Sequence, residues 1–177
     1  VLDWCAATVP GGIAPPAQML AQALDEEVGH GHGKASLIPS GTPCTTRAAA
    51  LINGTAAHTV EFDDIYRPAI YHPGAPVISA ALAMAERFDA SGGQLLRDIV
   101  AGYGVSNRVG AALVPAHYTY WHTTGTAGTL GAAIASGVIA GLDEQAMHHA
   151  LGNATTMAAG LQQAFRSDAM TKPIHGG

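Results

Sequence analysis

The chain has 177 residues, 48% of them hydrophobic and 12% charged, with a mean hydropathy of +0.19, which supports a real core and excludes disorder as a class. Lys and Arg number 8 against 13 Asp and Glu, a formal net charge of −5 with no basic stripe, so nucleic acid is not expected as a partner. No signal peptide and no apolar run of about 18 residues appears, so no membrane partner is expected; two distant cysteines, Cys5 and Cys44, suit buried free thiols in a reducing cytoplasm.

In chain order, "PPAQMLAQALDEEVG" reads as a helix with Pro in its first turn, Met19, Leu20, Ala23, Leu24 and Val28 on one face, and a stop at Gly29. Loop follows, with a short extended piece at residues 35–38. Helical spacing resumes in "TTRAAALINGTAAHTVEF" through Ala48, Leu51, Ile52 and Ala56. "PVISAALAMAERF" is a strongly apolar helix, and "SGGQLLRDIVAGYGVSNRVGAALV" a long one with Ser91 as N-cap. "AGTLGAAIASGVIAGL", closed by Gly141, and "DEQAMHHALGNATTMAAGLQQAF", capped by Asp143, complete the set. No alternating strand or βαβ rhythm appears, so the expected class is all-α. Gly102, Gly104 and Gly110 in one helix and Gly128, Gly131 and Gly137 in another each cost about 1 kcal/mol relative to Ala. Close helix crossings would explain them, which predicts a bundle with largely buried central helices. Residues 1–177 read as one unit, and Val1 and "KPIHGG" look like mid-pattern ends, so a piece of a longer protein is expected.

Charge concentrates in "NGTAAHTVEFDDIYRPAIYHPGAP", residues 53–76, where a solvated loop, a metal site and a proton-transfer site are three open readings. His58, Asp63, Asp64 and His72 combine the imidazole and carboxylate that suit zinc, manganese or iron. Against this, there is no His-x-x-x-His and no second acidic cluster to complete a sphere, so no metal is expected. A proton-transfer site would set Glu61, Asp63 and Asp64 beside His72, just before a helix entry at Pro73 and Gly74. His122, followed by Thr123 and Thr124, occupies a second helix entry, where free N–H groups and the dipole favour a carboxylate or phosphate. Taken alone, His122 reads more simply as a structural histidine. Lys172 lies in "AMTKPIHGG", read as loop, beside Pro173 and His175. Three basic groups at such junctions can clamp a polycarboxylate, and one of them, deprotonated, can remove a carbon-bound proton.

Other candidates have blander explanations. "GTAGTLGAA" lacks the strand before and the Gly-Lys-Ser/Thr after that a phosphate-binding loop needs, and reads as helix packing. His30 and His32 in "GHGHG" read as a surface loop, and His148 and His149 as solvated. His117 has no evident partner, and Arg108 is a mid-helix cation that faces a cavity or snorkels. No Gly-x-Ser-x-Gly elbow or catalytic cysteine context offers a nucleophile.

The blocks "AALINGTAAHTVEFDD", "HPGAPVISAALAMAE", "HTTGTAGTLGAAIASGVIAGL", "ALGNATTMAAGL" and "MTKPIHGG" resemble the MmgE/PrpD family in order and spacing, over nearly the whole chain. The resemblance implies a large all-helical domain, whose smaller α/β lid and first helix or so are absent here, and a homodimer. It also implies an activity such as 2-methylcitrate dehydratase, cis-aconitate decarboxylase or iminodisuccinate epimerase, on small polycarboxylates, with no metal or organic cofactor. Active-site residues of the decarboxylase branch carry over to Glu61, His72, His122 and Lys172. Glu61 stands where that branch has Asp, and the stretch from Asp64 to His72 is slightly longer. "TKPIH" is more similar to the decarboxylase and epimerase branches than to the dehydratase branch.

The resemblance thus implies a cofactor-independent lyase of a di- or tricarboxylate, with an epimerase or isomerase as runner-up. Lys172 and His122 would bind substrate carboxylates with Thr123 and Arg108, His72 would move the proton, and Glu61 or Asp64 would orient it or tune its pKa. Two further alternatives are a catalytically incomplete dimerisation module and a metal hydrolase.

Overall fold

In the computed structural model, which describes residues 1–31, 33–167 and 169–177, the apolar spacings become helices. They are α1 (Leu2–Gly11), α2 (Pro15–Ala23), α3 (Thr46–Thr59), α4 (Gly74–Phe88), α5 (Gly92–Leu113), α6 (Thr123–Ile139) and α7 (Glu144–Met157), then single turns α8 (Gln163–Arg166) and α9 (Thr171–Ile174). The fold is all-α, with one two-residue antiparallel ladder among the described residues, β1 (Ala35–Ser36) on β2 (Pro43–Cys44). Among the described residues no helix is long and apolar enough to cross a membrane.

Caps set the boundaries. Thr45 accepts from Ala48 N at the start of α3, and Asp143 accepts from Ala146 N at the start of α7. Ser91 and Gln94 form a reciprocal capping box on α5. Gly141, at φ +70°, closes α6.

Several boundaries differ from the sequence reading. α1 was not expected, yet Trp4, Ala7, Thr8 and Gly11 form an i, i+3, i+4, i+7 stripe that buries against α3. α2 ends at Ala23 rather than Gly29, ahead of Asp25, Glu26 and Glu27, whose charge opposes the negative end of a helix dipole. Its buried residues are Pro16 and Ala17, while Met19 is exposed. α3 stops at Thr59 because the chain turns into a left-handed conformation at Glu61, φ +60°. α7 ends at Met157 instead of running to Phe165. There the carbonyl of Gly160 is taken by His122 N at 2.9 Å, a tertiary bond that overrides the helical spacing. Lys172 lies in the turn α9, not in loop.

α6 packs against α4, α5 and α7, and α3 against α1, α2, α4 and α9. The tightest crossing explains two of the expected glycines. A Cβ on Gly131 would lie 2.7 Å from Val77 Cγ2 and 2.8 Å from Ser106, and one on Gly102 would lie 2.8 Å from the Gly131 carbonyl. Gly104 is different, since its Cβ would meet only the Arg108 side chain. α6 is mostly buried as expected, but α5 buries only a stripe of Asp98, Ile99, Gly102, Ser106 and Gly110. Trp4, Ala57, Val77, Ile78, Ile99 and Ala135 form one apolar cluster, and a second lies under the ladder around Ala17, Leu37 and Ile52.

Candidate active site

Three chain reversals meet at one place: the connection from α3 to α4, the entry of α6, and α9. The first carries most of the acid. His58 ends α3 fully buried, and Glu61, Asp63, Asp64 and His72 follow before α4 begins. Glu61 at φ +60° and Ile70 at φ +48° are two non-glycine residues in the left-handed region within this one connection. Such conformations cost about 1–3 kcal/mol each and persist where the surroundings over-determine them. A backbone bridge between Tyr66 and Tyr71 and the packing of α3 on α4 provide that restraint.

Asp63 is the hub. Its Oδ2 lies 3.1 Å from His58 Nδ1, and its Oδ1 lies 3.2 Å from His72 Nδ1. Burial opposes its ionisation, but the two imidazoles outweigh burial and hold the carboxyl down at about 2. Burial lowers His58 and leaves it neutral near pH 7. Burial works against a charged His72 as well, but Asp63 overcomes it and the pKa is raised.

Asp64, one residue on, has a different task. It accepts from Gly74 N and from the Tyr103 hydroxyl, both at 2.9 Å, and so caps α4. Burial raises its pKa. Asp63 is the carboxylate that touches His72, while Asp64 acts on that imidazole through its charge, which also favours the protonated ring.

His122 occupies the N-cap position of α6, almost wholly buried. Its ring stacks on His58 at 5.3 Å between centroids, meets the edge of Phe165 at 4.6 Å, and places Nδ1 3.0 Å from Nδ1 of His175. Burial, then the neighbouring His58, hold its pKa down at about 2. Thr124 Oγ1 accepts from His72 N at 3.2 Å, tying the α6 entry to the α4 entry. Thr123 Oγ1 is buried with no hydrogen-bond partner among the described residues.

Lys172 pairs with Glu61 and lies over the Phe165 ring, 4.6 Å from its centroid. Burial holds the ammonium down at about 8. Glu61, Phe165 and Lys172 line a cleft of about 370 Å³ with Thr59, Met170 and Pro173. The structure therefore brings Glu61, His72, His122, Thr123 and Lys172 to one locality and adds His58, Asp63, Phe165 and His175.

Arg108 is not among them. It is exposed on α5 and donates to the Gly104 carbonyl of its own helix. His117, which showed no partner in the sequence, bonds Thr126 Oγ1 at 2.8 Å, and His148 and His149 are exposed. His30 is exposed, and His32 lies outside the described residues. Cys5 and Cys44 are free, Cys5 only half buried.

His58, Asp63 and His72 each offer one atom within 4.8 Å of the others, so this trio is where a divalent cation would bind. The hydrogen bond and ion pair of Asp63 already give both of its oxygens imidazole partners.

Sequence reasoning set His58 only in a metal reading, gave Asp63 no role of its own among the acids beside His72, and named His175 only as a neighbour of Lys172. Their signals were weak because His58 and Asp63 straddle a helix end and His122 and His175 are 53 residues apart.

The family model described as the MmgE/PrpD N-terminal domain matches residues 1–177. A cis-aconitate decarboxylase-like protein, oryM, of Aspergillus oryzae is 31% identical over 173 residues, covering 93% of this chain and 36% of that protein. The cis-aconitate decarboxylase of Homo sapiens is 31% identical over 137 residues, covering 73% of this chain and 27% of the relative. That of Aspergillus terreus is 29% identical over 136 residues, with shares of 73% and 28%. The chain thus spans from 27% to 36% of the length of these relatives.

Proposed function

Because the chain belongs to the MmgE/PrpD family, we propose that it supplies the proton-transfer and anion-binding side chains of a cofactor-independent lyase acting on a small di- or tricarboxylate. Decarboxylation is the favoured reaction, since the relatives named above are cis-aconitate decarboxylases or like them. One observation carries this reading: a histidine held by a buried carboxylate, His72 on Asp63, lies in one cluster with a buried ammonium, Lys172, and a neutral imidazole, His122.

In this account Lys172 and His122 bind carboxylates that stay on the substrate. Phe165, packed against both, keeps water from the ammonium and strengthens its pull on an anion. The bond to one carboxylate carbon breaks, CO₂ leaves, and the electron pair stays on the remaining carbon skeleton. A proton from His72 Nε2 then quenches it, forming C–H. The Asp63 carboxylate faces Nδ1 of His72 at ion-pair distance, so Nε2 is the nitrogen left to exchange a proton. Glu61, already on Lys172, is the group a substrate carboxylate displaces or joins.

The protein is further proposed to be a cytoplasmic homodimer. The family resemblance supports the dimer, and the two free thiols suit a reducing compartment.

The test is incubation of the whole protein with cis-aconitate and other di- and tricarboxylates while CO₂ is measured. Release with the unsubstituted protein and its loss in His72→Ala is the expected result. Release unaffected by His72→Ala would remove the assigned role.

A further inference from the structure

We propose that His175 fixes the ring tautomer of His122, so that His122 presents an N–H at Nε2 to a substrate carboxylate. The inference rests on the reading of His122 as a carboxylate ligand and adds a residue whose part is positioning.

The two Nδ1 atoms are 3.0 Å apart, a distance with room for one proton between them. Burial lowers the pKa of both rings, so near neutral pH each carries a single ring proton. Only two arrangements satisfy the contact. Either His122 donates from Nδ1 and has a bare Nε2, or His175 donates and His122 has its proton on Nε2. A carboxylate only accepts hydrogen bonds, so a neutral His122 can bind one only in the second arrangement. Nε2 of His122 has no hydrogen-bond partner among the described residues and is the nitrogen left for a ligand.

The surroundings hold both rings for this contact. His122 is wedged between His58 and Phe165, and its backbone N–H is tied to the Gly160 carbonyl. The ring of His175 rests on the same glycine: a Cβ on Gly160 would lie 3.2 Å from its Cγ and Nδ1. Gly160 also has φ +120°, which side chains rarely adopt. His175 caps the turn that carries Lys172, donating its backbone N–H to the Lys172 carbonyl at 3.1 Å. One turn therefore supplies the ammonium and sets the imidazole beside it.

The experiment is long-range ¹H–¹⁵N correlation NMR of ring nitrogens in the whole protein labelled with ¹⁵N-histidine, read without substrate. The expected result is His122 protonated on Nε2 and bare on Nδ1. His175→Asn, which can donate from a similar position, keeps that pattern, and His175→Leu lets His122 populate both tautomers. In turnover, His175→Leu raises KM with little change in kcat, and His175→Asn restores it. A protonated Nδ1 on His122 in the unsubstituted protein overturns the proposal, and so does an unchanged pattern in His175→Leu. Added tricarballylate should shift the Nε2–H signal. No shift, with the expected tautomer present, would sink the carboxylate reading while upholding the tautomer assignment.

Discussion

Asp63 Oδ1 lies 3.2 Å from His72 Nδ1, while the other oxygen of the same carboxylate serves His58. One buried negative charge therefore supports two imidazoles of unlike character. His58 is fully buried and stays neutral, whereas His72 keeps an exposed edge, 17% of its side chain, and gains basicity. That asymmetry makes His72 the one that can exchange a proton with a ligand.

Asp63→Asn keeps the shape of the side chain and removes its charge. His72 should then release its proton at a lower pH, so the fall in kcat on the alkaline side should move to lower pH. His72→Ala should lower kcat by about 10²–10⁴, the usual contribution of a general acid or base. The pH dependence of kcat in the whole protein reads both effects. An unmoved profile in Asp63→Asn would break the link between the two residues.

The Lys172 ammonium, held down at about 8 by burial, attracts carboxylates only when protonated. Affinity should be full below about pH 8 and weaken as pH rises through it, appearing as a rising KM. Lys172→Gln should raise KM at pH 7 by roughly 10–100-fold, as expected for loss of a charged hydrogen bond of about 1.5–3 kcal/mol. It should also flatten the alkaline dependence of KM.

Asp63 should also shape acid stability. Its carboxyl, at about 2 when folded, titrates near 3.9 when unfolded. The stability it contributes is complete above about pH 4 and is lost as pH falls through about 2. Circular dichroism of Asp63→Asn should show lower stability at pH 7 and a shallower decline between about pH 4 and 2. A parallel decline in both proteins would show that the pair contributes nothing.

Gly131→Ala and Gly104→Ala should have opposite effects. At Gly131 the added methyl meets Val77 and Ser106 under 3 Å, and overpacking of this kind costs about 1–3 kcal/mol. At Gly104 the nearest group is the flexible end of Arg108 at 3.6 Å, so Ala should stabilise the helix by up to about 1 kcal/mol. Thermal melts of the two variants decide it.

Much of the helical order was legible because caps and spacing act locally: Ser91, Asp143 and Gly141 perform the tasks that their residue types suggest. Ends governed by tertiary bonds were not legible. α7 stops where Gly160 meets His122, and no local pattern around residue 157 announces that bond. In the site, residue types at loop–helix junctions brought out His72, His122 and Lys172, whereas the division of labour between Asp63 and Asp64 was hidden. The two acids are adjacent, and only the fold turns one toward the imidazoles and the other toward the start of α4. Arg108 left two readings open, a cavity-facing cation and a snorkelling one, and only the fold decides for solvent.

The central claim is that His72 exchanges a proton with substrate carbon while Lys172 holds a carboxylate. Incubation of the whole protein with di- and tricarboxylates in D₂O, followed by NMR, tests it directly. The account predicts deuterium at a carbon next to a carboxylate with the unsubstituted protein and none with His72→Ala, which still binds the ligand. Equal incorporation by the two proteins would contradict it.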